Sequence, residues 1–184
     1  ALSATLLGHV AHETALSRNG ARAGDSLWVT GNIGDAALGL LARLGKCADP
    51  SGYLTKRSLL PEPRLGLALA GVVSAAIDVS DGLVQDLGHM CRGAGLSAVL
   101  RAGLVPASAQ AAALGGQMLE TRLTGGDDYE LLLAVPPGHG EALKAACGAL
   151  KVTKIGVFQA GEGVHVLDES GEMMKLSATG WNHF

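Results

Sequence analysis

The sequence predicts an α+β fold: one mixed β-sheet flanked by helices. Two observations carry this. Apolar runs of strand length and runs with helical spacing interleave along the 184 residues, but without strict strand–helix alternation. No internal repeat, low-complexity tract or interdomain linker divides a chain whose length suits one ordinary domain. Hydrophobic residues make up 48% and aromatics only 3%, so the core must be built mostly from Ala, Val, Leu and Ile.

The elements follow in order. "LSATLLGHV" (2–10) alternates and ends in Gly-His-Val, which predicts a strand already under way at the start. "NGARAGD" is turn chemistry, and "SLWVTG" is a short apolar strand. "NIGDAALGLLARLG" predicts a helix with Asp35 as its cap and Gly45 as its end. "PEPR" fixes an extended or first-turn geometry. "RLGLALAGVV" (64–73) predicts a small-residue helix, and "SAAIDVS" a strand. "DGLVQDLGHMCRGAG" is amphipathic, with Leu83, Leu87, Met90 and Cys91 at i, i+4, i+7 and i+8. "LSAVLRAGLV" predicts a strand, "SAQAAALGG" a helix, "YELLLAVPP" a strong strand and "GEALKAACGAL" a helix. "VTKIGVFQ" and "GVHVLDE" predict strands, and "SGEMMKL" a turn with a further strand.

Charge and cysteine usage exclude several classes. Net charge is -3 with 17% charged residues, so no basic nucleic-acid footprint is present. Cys47, Cys91 and Cys147 are odd in number and far apart, which predicts free, buried thiols in a reducing compartment. No basic, apolar leader opens the chain, and no apolar run reaches the ~20 residues of a membrane span. His9, His12, His139 and His165 have no partners at ligand spacing, and His89 reads as a packed or surface residue.

Three stretches carry chemistry. In "AAIDVSDGL", an apolar strand ends in Asp78, Ser80 and Asp81. Two carboxylates so close repel each other unless a cation or proton lies between them. Mg²⁺ meets that need, because it takes hard carboxylate oxygens and keeps waters and phosphate oxygens as its other ligands. The plainer alternative is that Asp81 caps a helix and Asp78 is solvated. Asp86 lies one turn beyond Asp81, but i+5 is a different helix face, and it receives no role. In "LTGGDDYELLLAV", Gly125 and Gly126 lead Asp127 and Asp128 into a strand, which suits a tight ligand loop or an ordinary turn. In the tail "ATGWNHF", Trp181, His183 and Phe184 place three rings in four residues, either as a core cover or as a stacking surface for a flat, cationic ring.

"IDVSDGL", "GGDDYEL" and the terminal "GWNHF", in that order, resemble the C-terminal part of thiamine-monophosphate kinases. "SRNGARAGDSLWVTGNIGDAALGL", "PEPRLGLALAG" and "KIGVFQAGEGV" extend the resemblance over nearly the whole chain. It implies an aminoimidazole ribonucleotide synthetase-like C-terminal domain. It also implies transfer of the γ-phosphoryl of ATP onto thiamine monophosphate, with Mg²⁺ ions holding the polyphosphate. Asp78 and Asp81 match metal-binding aspartates, and Ser80 and Arg18 match ATP contacts. Asp127 or Asp128 matches a contact to thiamine monophosphate, and Trp181 an aromatic lying against it. Asp127 stands where the family usually has Glu, one methylene longer.

The resemblance further implies that residues 1–17 are the end of an N-terminal ATP-binding domain and 18–184 the C-terminal domain. The partners would then be that N-terminal domain and a second copy in a full-length homodimer, in the cytoplasm, with no nucleic acid or membrane. The chain alone is expected to be inactive. Two alternatives stand beside this: another enzyme of the superfamily, resembling selenophosphate synthetase or a hydrogenase maturation factor, and a non-catalytic ligand-binding module.

Overall fold

The computed structural model describes residues 3–11, 14–178 and 180. Six strands form one sheet: β1 (Ser26–Thr30), β2 (Ala75–Asp78), β3 (Ser97–Arg101), β4 (Leu131–Val135), β5 (Val152–Gln159) and β6 (Gly163–Leu167). Their spatial order is β2-β4-β1-β5-β3-β6. Every ladder is antiparallel except β3 with β6, so the sheet is mixed, as predicted. The helices are α1 (Asp35–Arg43), α2 (Tyr53–Leu59), α3 (Leu83–Ala94), α4 (Ala109–Ala113), α5 (Leu119–Thr124) and α6 (Gly140–Cys147).

The sheet is covered on both faces, which explains the apolar strands. In β1, Leu27 and Val29 join one core while Trp28 joins the other. In β4, Leu132 and Ala134 face the first core, and Leu133 and Val135 the second. A strand buried on both sides loses the polar alternation of a half-exposed one. The first core is closed by Leu83, Leu87, Met90 and Cys91 of α3, the spacing read from the sequence. The second is closed by Leu143 and Cys147 of α6 with Leu69 and Val73. A third, small cluster joins Leu38 of α1, Leu54 of α2 and Ala111 of α4.

Several expectations need correction. Residues 3–10 form no strand and are exposed; Leu6 and Leu7 bury almost nothing. Alternation alone makes no strand without a neighbouring ladder to receive its N–H and C=O groups. Residues 64–73 are irregular, not helical. Gly66 (φ 74°) and Gly71 (φ 75°) take left-handed turns there, so Leu69 and Val73 are buried while Leu67 and Val72 pack only partly against the core. The predicted "SAQAAALGG" helix is shorter, and Ser108 caps it by accepting from Ala111 N. The predicted "LSAVLRAGLV" strand stops at Arg101 and continues as a 3₁₀ turn. Helices α2 and α5 were not anticipated. The final strand of "SGEMMKL" is a single bridge between Leu167 and Met173. Among the described residues, Cys91 and Cys147 are buried free thiols, while Cys47 is partly exposed. No helix among them is long and apolar enough to cross a membrane.

Candidate functional site

Sheet order brings the two acidic motifs together. β2 runs antiparallel to β4, with Asp78 opposite Leu131. The loop leaving β2 therefore lies against the loop entering β4. Three backbone bonds join them: Val79 N donates to Glu130 O (2.8 Å), Asp127 N to Ser80 O (2.9 Å) and Tyr129 N to Val79 O (2.9 Å). The approach is close enough to require glycine. A Cβ on Gly126 would strike the Ser80 carbonyl oxygen, and one on Gly82 would lie 2.5 Å from Thr124 O.

The β4 loop alternates in an unusual way. Asp127 (φ 68°) and Tyr129 (φ 52°) both take left-handed backbone, which non-glycine residues adopt uncommonly. Asp127 and Tyr129 are exposed, while Asp128 between them is fully buried. The carboxylate of Asp128 accepts from Gly34 N (2.6 Å) and Ala36 N (3.1 Å). It satisfies two of the free amides that open α1. This corrects the assignment of Asp35 as cap. Gly34 is the cap residue, with no side chain to offer, and Asp35 is the first helical residue. Asp35 instead accepts from Ser108 Oγ (2.6 Å) and Tyr53 OH (3.2 Å). Burial pushes the Asp128 carboxyl up to about 7, with Asp35 and Glu130 adding to the rise.

Glu130 anchors the other end of the loop. It is 1% exposed and accepts from Thr30 Oγ1 (2.6 Å) and from Arg64 through Nε (2.6 Å) and Nη2. Arg57 lies 3.7 Å from it and also points Nη2 at Asp128 O. Sequence reasoning missed this network. "PEPR" reads only as an extended or first-turn geometry, and nothing local links Arg64 to a Glu 66 positions away.

The β2 loop is held from the helix side. Asp86 Oδ2 accepts from Ser80 N (3.0 Å), Asp81 N (3.0 Å) and Gly82 N (3.2 Å). Burial raises its carboxyl to about 6. The i+5 argument that set Asp86 aside considered side chains on helix faces, whereas its partners are amides of the preceding loop. The signal was available: an acid in the first turn of a helix opened by Gly, which has no capping side chain.

The outward side of these loops is acidic. Burial first, and then the carboxylates of Asp127, Asp78 and Asp81, raise the Tyr129 phenol, and the backbone bonds between the two loops set the residues that carry them at one junction. Asp78 is exposed and Asp81 half-exposed, and no ion pair to Asp78 occurs among the described residues. His89 Nε2 lies 4.0 Å from Asp81. Burial and the charges of Arg92 and Arg18 lower the His89 pKa, so at neutral pH it brings little positive charge to Asp81. Exposed, uncompensated carboxylate oxygens fit a hard divalent cation. Arg18 sits in a turn at the free edge of β2, where Ala76 N donates to Ser17 O. The structure thus gathers Asp78, Ser80, Asp81 and Asp127 at one junction and withdraws Asp128 into the core, while Arg18 follows Ser17 at the edge of β2. Trp181 lies outside the described residues. Gly180 is described, and a Cβ there would meet Gln85 and Asp81 O, so the chain reaches this junction one residue earlier.

Residues 22–169 match the family described as AIR synthase related protein, C-terminal domain. A thiamine-monophosphate kinase of Caulobacter vibrioides is 39% identical over 192 residues, covering 99% of this chain and 54% of its own. The crystal structure of thiamine-monophosphate kinase from Stenotrophomonas maltophilia K279a superposes with a TM-score of 0.79 at 38% identity, over 90% of this chain and 56% of that one. A structure described as AaThiL complexed with AMPPCP and TMP gives a TM-score of 0.74 at 32% identity, over 92% of this chain and 54% of that one. The chain spans about half the length of these relatives.

Proposed function

The chain belongs to the AIR synthase related protein, C-terminal domain family, and on that premise we propose that it is the C-terminal domain of a kinase converting thiamine monophosphate to thiamine diphosphate with ATP and Mg²⁺. The observation that carries this reading is the backbone pairing of the two acidic loops, Asp127 N to Ser80 O and Tyr129 N to Val79 O, which sets Asp78, Ser80 and Asp81 beside the exposed Asp127. Supporting it are relatives named thiamine-monophosphate kinase at 38–39% identity, and one solved with AMPPCP and TMP.

In this reading Asp78 and Asp81 hold Mg²⁺, which neutralises polyphosphate charge when bound. Ser80 and Arg18 contact ATP. Asp127, the outward acid of its pair, faces thiamine monophosphate, and Trp181 lies against its ring. Asp128 holds the Asp127 loop from behind rather than touching substrate. Phosphoryl transfer asks mainly for alignment and charge neutralisation, so the lack of a nucleophilic triad is no obstacle. His89, whose pKa burial and then the charges of Arg92 and Arg18 lower, brings little positive charge to compete with the cation at Asp81. Residues 18–184 form this domain. Residues 1–17 are the end of a preceding ATP-binding domain, which supplies the remaining carboxylates and the dimer contact, and the enzyme works in the cytoplasm, where ATP is.

The test is thiamine diphosphate formation from thiamine monophosphate, ATP and Mg²⁺ by the full-length protein, by its Asp78→Ala variant and by this chain alone. Turnover is expected from the full-length protein, a loss of roughly 10²-fold or more in Asp78→Ala, and none from the chain alone. A folded full-length protein that makes no thiamine diphosphate would overturn the reading.

A further inference from the structure

We propose that Asp86 is a positioning residue: its carboxylate sets the shape of the Ser80–Gly82 loop and so fixes the oxygens of Asp78 and Asp81 for a divalent cation. The inference rests on the function proposed above. One oxygen of a side chain only 2% exposed accepts three consecutive amides, from Ser80, Asp81 and Gly82. Three N–H groups aimed at one point curl the backbone around it. Such bonds to a charged acceptor are about twice as strong as neutral ones. No other acceptor serves these three amides among the described residues.

The carbonyl side of the same loop is also taken. Val79 O and Ser80 O accept from Tyr129 N and Asp127 N. The loop is therefore gripped from both sides, by α3 through its amides and by the β4 loop through its carbonyls. Gly82 at φ 127° allows the third amide to turn inward where a side chain would strain. Asp86 itself need not touch the cation. Asp81, Asp86 and His89 do bring ligand atoms within 4.8 Å of one another, so a direct ligand role is the rival that the test must separate. The readouts differ: losing a positioning acceptor frees the three amides in the metal-free protein, whereas losing a mere metal ligand leaves their exchange unchanged.

The experiment uses the full-length protein with Asp86→Asn and Asp86→Ala, and Mn²⁺ as the probe. Mn²⁺ binding through this site is taken as the part lost in Asp78→Ala. Amide hydrogen exchange is read on peptides covering 79–86 in the metal-free protein. Asp86→Ala is expected to speed exchange of these amides and to weaken Mn²⁺ at least ~10-fold, the worth of one charged hydrogen bond. It should lower kcat with little change in KM for thiamine monophosphate. Asp86→Asn is expected to bind Mn²⁺ more tightly and exchange more slowly than Asp86→Ala, since Asn Oδ1 accepts the same amides as a weaker, neutral acceptor. Unchanged exchange or unchanged Mn²⁺ affinity in Asp86→Ala overturns the proposal, and so does an Asp86→Asn as weak as Asp86→Ala. If Asp86→Ala does not fold, Asp86→Glu carries the same readouts, with faster exchange and weaker Mn²⁺ expected from its extra methylene. Neither exchange nor Mn²⁺ binding needs the reaction. A protein that responds as expected but makes no thiamine diphosphate refutes the activity and leaves the positioning role standing.

Discussion

Replacing Gly126 by Ala tests how closely the two acidic loops must lie. Gly126 does not have positive φ, so an alanine is compatible with its backbone and the effect is one of space. The added Cβ would strike Ser80 O and lie 3.1 Å from the Ser80 carbonyl carbon and 3.2 Å from that of Asp81. Carbon–carbon contacts prefer about 3.5–4.0 Å, and the struck atoms are backbone that cannot rotate away. The loops must part by on the order of 1 Å, lengthening the bonds from Asp127 N to Ser80 O and from Tyr129 N to Val79 O. Two such bonds at about 1 kcal/mol each, with some overpacking strain, give a loss of roughly 2–4 kcal/mol in stability. A misplacement of that size between reacting groups costs about 10²-fold in turnover. Urea unfolding and steady-state kinetics of the full-length protein read both numbers. Gly116→Ala is the control, since nothing lies within 4 Å of its added Cβ and its φ is not positive. Wild-type stability and turnover in Gly126→Ala, beside a neutral Gly116→Ala, would refute the claim that the loops' spacing sets the site.

Two further outcomes follow from the buried charges. Among the described residues, Glu130→Gln leaves Arg64 and Arg57 with only the exposed Glu62 as a carboxylate partner, so it should cost about 3–5 kcal/mol, the penalty for breaking a buried pair. Thermal unfolding checks this, and a Tm within 2 °C of wild type, well inside the shift such a loss implies, would contradict it. The raised Asp128 carboxyl sets a pH dependence. Its folded pKa of about 7 lies above the ordinary 3.8, so the native state binds the proton more tightly than the unfolded chain. Its contribution is therefore full below pH 4 and is lost as pH rises through 7, by on the order of 4 kcal/mol. Urea unfolding from pH 4 to 8 should show that fall on top of a smaller one from Asp86, whose carboxyl burial raises to about 6, and Asp128→Asn should remove the larger part; a fall undiminished in Asp128→Asn assigns it elsewhere.

Much of the fold was legible because it rests on local signals. The 3.6-residue spacing of Leu83, Leu87, Met90 and Cys91 gave α3, and the doubly buried "LLLAV" gave β4. The two acidic motifs were legible as residue types with a chemistry. What could not be read were bonds between distant positions. Asp127 and Asp128 are identical in the sequence, and only the alternating left-handed backbone separates an outward acid from one that caps α1. Residues 3–10 and 64–73 misled for a related reason: apolar composition was read as secondary structure, although few of those side chains reach the core. Asp86 was set aside by a rule about side-chain faces, when its partners are main-chain amides.

The strand order has a consequence for how the molecule comes into being. Among the described residues, no two strands adjacent in the sheet are consecutive along the chain, whereas in most proteins successive strands are usually neighbours. No hairpin can therefore form early and serve as a seed. The bonds that close the site join Gly34 to Asp128 and Thr30 to Glu130, 94 and 100 positions apart. A chain emerging from the ribosome holds α1 and β1 long before their partners exist, and the domain should fold slowly and all at once, late in synthesis.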